Sequence, residues 1–133
     1  MENWEGNKAS KYDLEDRLLR FAVEATAVAE SLPQTRLGNH VVGQLIRCST
    51  SPMANYAEAQ SAESHTDFIH KMKITLKELR ETRVWLIFLQ RKGLCYRKAD
   101  LDAGLAEVAQ LIAIFVRSLE AAKLNRTVSP AVR

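Results

Sequence analysis

An all-α fold, an antiparallel up-down-up-down four-helix bundle, is predicted for this 133-residue chain by two observations. Four segments repeat apolar residues at spacings of four and three, and none alternates with the period of two that a half-buried strand requires. The connections between them are short, so each long helix can cover its apolar face only by packing on its neighbours. An apolar fraction of 47% and a charged fraction of 26% are those of an ordinary globular domain. The reading is one bundle over residues 13–124, with a flexible N-terminal segment at 1–12 and a flexible tail at 125–133.

In the first helix, Asp13 to Ser31, the seam is Leu14, Leu18, Phe21, Ala25, Val28 and Leu32. Pro33 ends it, because proline has no N–H to donate and pushes the preceding residue out of helical geometry. The second helix spans Thr35 to Ala62, with Val42, Leu45, Ser49, Met53 and Tyr56 near one face. Pro52 removes a hydrogen bond to the Cys48 carbonyl, so a bend or local break is expected there, with Ser49, Thr50 and Ser51 placed to satisfy freed carbonyls.

Ser64 or Thr66 caps the third helix, whose stripe is Phe68, Met72, Leu76, Leu79 and Leu86. It stops at Lys92-Gly93, where glycine takes the left-handed terminal conformation and Arg91 and Lys92 suit the negative end of the dipole. Asp100 caps the fourth helix, with Leu101, Leu105, Val108, Ile112, Phe115, Leu119 and Ala122 on its seam.

Catalytic and metal chemistry finds little support. Asp67-Phe68-Ile69-His70 is a single, imperfect copy of the Glu-x-x-His motif that di-metal bundles need twice, and His65 and His70 are five apart rather than four. Arg36 and His40 do not match the arginine and histidine spacing of small helical ribonucleases, and Gly38 and Gly43 are isolated within a helical pattern. No enzyme activity, metal or cofactor is expected. Val84 to Leu89 and Leu111 to Val116 fall far short of the ~18 residues of a membrane span. Met1 to Lys8 lacks the apolar core of a signal peptide. A cytoplasmic protein with reduced Cys48 and Cys95 is the expectation.

Three surface features remain. Lys73, Lys77 and Arg80 form a basic ridge on helix three, with Lys71, Arg91 and Lys92 nearby; it either contacts phosphates or is a solvated face diluted by Glu78 and Glu81. The net charge of +3 permits a nucleic-acid partner without demanding one. Ile74, Trp85 and Phe88 lie roughly opposite the main seam and are expected to form an exposed interface, unless a neighbouring helix or the segment bearing Trp4 covers them. Arg83, among the seam residues, either pairs with Glu58 or extends to solvent.

Arg47, Ser51, Asn55 and Glu58, at spacings of four, four and three, share one stripe of helix two. Leu45 through Glu58, Asp67 through Lys71 and Leu76 through Thr82 together resemble the bacterial four-helix-bundle family found in intervening sequences of large-subunit ribosomal RNA. The resemblance covers about Leu14 to Ala122. Ala59 stands where that family often has glycine, and its proline often lies one position after Pro52. What the resemblance implies is a small bundle assembled as a ring-like homopentamer, with Arg47, Ser51, Asn55 and Glu58 as structural or interface positions. The accessory variability proteins of retroelements are similar at a distance, and they imply nucleic-acid binding. The functional expectation is a non-enzymatic homo-oligomer that binds RNA or a ribonucleoprotein through helix three. The alternative is a structural or protein-interaction module whose ridge only solubilises.

Overall fold

The computed structural model describes the backbone of residues 2–128 and the side chains of residues 13–125. Four helices account for it: α1 (Glu2–Glu30), α2 (Arg36–Gln60), α3 (His65–Lys92) and α4 (Lys98–Val128). The fold is an all-α bundle. Helix α1 begins well before the expected Asp13, with no proline among the preceding residues to stop it, and α4 passes Asn125. The two helices thus extend into residues 2–12 and 125–128, while Met1 and residues 129–133 lie outside the described residues. Among the described residues, no helix is long and apolar enough to cross a membrane.

Each helix packs on its neighbour in sequence, and α1 meets α4 to close the bundle. Arg47 reaches Glu78 while Glu58 reaches Lys71, so α2 and α3 run in opposite senses. His65, at the start of α3, meets the carbonyl of Ala122 late in α4, while Leu86 lies against Gly104. That pair is also antiparallel.

The core holds the expected seam of α1, with Leu18, Phe21, Ala25, Val28 and Leu32 buried and Leu14 at its margin. In α2 the seam is turned slightly from the expected one. Val41, Leu45, Cys48, Pro52, Tyr56 and Ala59 point inward, whereas Val42 and Met53 are only partly covered. A four-three repeat through Val41 accounts for this rotation. In α3, Ile69 replaces Phe68 as the first buried residue, and Thr75 and Thr82 enter the core. Their hydroxyls donate to the carbonyls of Lys71 (2.9 Å) and Glu78 (2.8 Å), which removes the cost of burying an unpaired O–H.

The terminal signals are mostly local. Thr35 caps α2 by accepting from the Gly38 N–H (3.0 Å), and Ser64 rather than Thr66 caps α3 by accepting from Asp67 N–H (3.0 Å). Gly93 closes α3 at φ 68°, with its N–H donating to the Leu89 carbonyl. Asp100 is no cap. It sits inside the first turn of α4 and holds Arg97 at 2.6 Å. Pro52 lies within one uninterrupted α2, and the nearby Thr50 hydroxyl donates to Ile46, not to Cys48.

Candidate functional site

The stripe of α2 faces a complementary stripe of α3. Arg47 donates through Nη1 to Glu78 Oε1 at 3.0 Å, and through Nη2 to Gln44 (3.1 Å) and to the Glu81 carboxylate. These bonds, that to Glu81 above all, raise the guanidinium pKa. Further along the stripe, Asn55 Nδ2 donates to the Ser51 hydroxyl (2.8 Å) and carbonyl (3.0 Å). Glu58 accepts from Lys71 Nζ at 2.6 Å, which raises the Lys71 pKa. The four motif residues are therefore spent on cross-helix pairing and on the helix's own backbone.

Arg83 does not pair with Glu58. Lys71 holds that carboxylate, while Arg83 stands exposed on the opposite flank, beside Arg80, Val84, Ala109 and Ile112. Ile74, Trp85 and Phe88 are half-buried rather than exposed. Trp85 and Phe88 pack against the core, because they continue the α3 stripe that faces α2. The Trp85 ring meets the edges of His40 (5.9 Å) and Phe88 (5.8 Å), and its N–H donates to Glu81. A neighbouring helix supplies this cover; the Trp4 side chain lies outside the described residues.

The basic ridge emerges cleaner than its sequence suggests. Glu78 is buried and Glu81 half-buried, both drawn toward Arg47 on α2. From His70 to Lys92, the exposed charged residues of α3 are Lys73, Lys77, Arg80, Arg83, Arg91 and Lys92, all cations. Among the described residues none of the six is in an ion pair. Lys71 leaves this set, since Glu58 neutralises it. On a 100° wheel Arg83 lies only about 40° from Leu79 and about 60° from Leu86, which is why the sequence places it on the seam; of the two alternatives left for it, extension to solvent is the one its exposure fits. Sequence reasoning missed the clamp between α1 and α4, where Arg17 grips Glu107 through Nη2 (2.8 Å) and Nε (3.0 Å) and reaches Gln110. No sequence signal links residues that distant.

Among the described residues, the cysteines and histidines lie apart. Burial pushes the Cys48 thiol up, and Cys95 is also buried. His70 is exposed, whereas His65 stacks on Phe68 and uses Nε2 on the Ala122 carbonyl (2.9 Å). Among the described residues, no three side chains of metal-ligating type converge.

The Arg47 cluster gives a direct stability test. Arg47→Met keeps most of the aliphatic stem but leaves buried Glu78 facing Glu81 without its cation. A loss of about 1–3 kcal/mol is expected in urea unfolding. Pairing Arg47→Met with Glu78→Gln should recover part of it, and additive losses would show that the two groups do not interact.

Comparison with curated proteins gives no match. A solved structure from Bacteroides thetaiotaomicron, described as a protein of unknown function from the S23 ribosomal protein family, is similar in fold with a TM-score of 0.73 at 29% identity. The alignment covers 80% of this chain and 97% of that one. Residues 10–116 match the model of the 23S rRNA-intervening sequence proteins, a span that takes in both charged seams and the basic ridge. The chain belongs to the 23S rRNA-intervening sequence protein family.

Proposed function

We propose that this protein is a non-enzymatic, homo-oligomeric helical bundle of the cytoplasm that binds RNA, alone or within a ribonucleoprotein, through the outer face of α3. The observation that carries this reading is the segregation of charge on that helix. From His70 onward its acids, Glu78 and Glu81, turn inward to Arg47, and its exposed charges are Lys73, Lys77, Arg80, Arg83, Arg91 and Lys92. A solvated helix face usually mixes both signs. An unmixed cationic face repels itself, and an anionic polymer relieves that repulsion while releasing counterions. Assembly into a ring, proposed from the family resemblance, repeats the face in every subunit, so weak contacts sum through multivalency. Val23 and Leu19 on α1, 68% and 44% exposed, give such an assembly apolar surface to bury.

The test is RNA affinity against salt concentration. Binding should weaken as salt rises, with a log–log slope of about 0.7 for each single-strand phosphate contact. Reversing Lys73 and Lys77 to glutamate should abolish binding while leaving helicity and particle mass unchanged, since both side chains are exposed. Equal binding by wild type and the reversed variant, or no binding by wild type at low salt, would remove RNA from the proposal and leave a protein-interaction module.

A further inference from the structure

The turn between α3 and α4 carries an aromatic ring that the core does not use. Tyr96 is 81% exposed, the most exposed of the large apolar side chains among the described residues. Its setting is anchored on both sides. Gly93 reverses the chain at the end of α3, Leu94 packs against the core, Cys95 is buried, and α4 begins at Lys98. With Leu94 and Cys95 tucked inward, the next residue projects outward from a short, tethered turn.

Charge surrounds that ring. The stretch Arg91-Lys92-Gly93-Leu94-Cys95-Tyr96-Arg97-Lys98 holds four cations and no acid. Arg97 is tied to Asp100 at 2.6 Å and Asp102 lies close to Lys98, so Arg91 and Lys92 are the freest of the four. They are also the C-terminal end of the α3 ridge, roughly 27 Å along the helix from Lys73 to Arg91 at 1.5 Å per residue. Arg91, 18 residues on from Lys73, returns to the same side of α3 at 100° per residue, and the ring follows five residues later.

We propose that Tyr96 is a stacking platform for an unpaired base, which makes the RNA recognised by this protein single-stranded. This deepens the RNA reading above and rests on it. A cationic track that ends at an exposed aromatic ring is the combination that single strands require: phosphates follow the charges while a base covers the ring. In a duplex the bases are already stacked and paired, and their faces cannot reach a side chain. The same cations disfavour a basic or apolar peptide as the partner.

The experiment measures binding at low salt of a uridine oligomer of about ten nucleotides, and of the same oligomer paired with its complement. Wild type is compared with Tyr96→Ala, Tyr96→Phe and the Lys73→Glu/Lys77→Glu variant. Tyr96→Ala should lose about 5- to 150-fold in affinity for the single strand. Tyr96→Phe, which keeps the ring, should bind like wild type, and duplex binding should be the same in wild type, Tyr96→Ala and Tyr96→Phe. Unchanged single-strand affinity in Tyr96→Ala, with binding still abolished by the charge reversal, overturns the stacking platform and leaves the ridge reading intact. A loss in Tyr96→Phe equal to that in Tyr96→Ala assigns the effect to the hydroxyl and also overturns it. So does a change in particle mass without a change in affinity, which would place a second copy of the chain on the ring. Failure of wild type to bind either RNA overturns both readings together.

Discussion

Gly38→Ala is expected to destabilise the bundle by about 3 kcal/mol, the upper end of what overpacking costs, and to lower Tm by roughly 10 °C at fixed protein concentration. A β-carbon at Gly38 would lie 1.9 Å from the backbone oxygen of Pro33 and 3.1 Å from its carbonyl carbon. Neither atom belongs to a flexible side chain, so the α1–α2 turn itself must open. That turn is closed by the Thr35 cap on the Gly38 N–H and by the Thr35 N–H donating to Pro33 O (2.9 Å). Gly43 supplies the control, because an added β-carbon there meets nothing within 4 Å. Gly43→Ala should stabilise α2 by about 0.5–1 kcal/mol through helix propensity alone. Equal melting shifts for the two variants would mean that the approach of Gly38 to Pro33 does not constrain the turn.

The contrast between these two glycines marks where sequence reasoning stops. Both sit in a helical pattern and look alike on a wheel, yet one is pressed on a carbonyl that only the fold brings near. Periodicity located the helices and most of the core, because burying one face of an amphipathic helix is a local property of its repeat. It recovered five of the six α1 seam residues as buried, from Leu18 to Leu32. It failed where the partner lies on another helix. Glu78 read as a surface acid that dilutes the ridge, but Arg47 on α2 draws it inward. Trp85 read as exposed, but His40 and the α2 stripe cover it.

The same limit applies to the candidate site. Lys73, Lys77 and Arg80 were legible as a ridge because spacings of four and three set them on one face. That the ridge is undiluted, that Lys71 is spent on Glu58 and that Arg83 belongs to it are consequences of helix pairing. The prominence of Tyr96 is likewise tertiary, since it depends on Leu94 and Cys95 turning inward.

Phe115→Ala carries the largest expected cost, about 3–5 kcal/mol and a fall in Tm of roughly 10–18 °C. The Phe115 side chain is fully buried in α4 and meets the ring of Tyr56 edge-on at 5.6 Å, tying α4 to α2 across the core. Truncation removes that contact and leaves a cavity that Leu111, Leu119 and Tyr56, all buried in place, can fill only by moving. Phe115→Leu should cost less, because it leaves a smaller void. The outer face of α3 shares no side chain with this cluster. Below its melting temperature Phe115→Ala should therefore bind RNA with the wild-type salt slope, whereas the Lys73/Lys77 reversal should lose binding at an unchanged Tm. A Phe115→Ala protein that melts like wild type would remove this ring from the core's stabilising contacts. One that is folded but has a reduced salt slope would place the RNA surface in contact with the core after all.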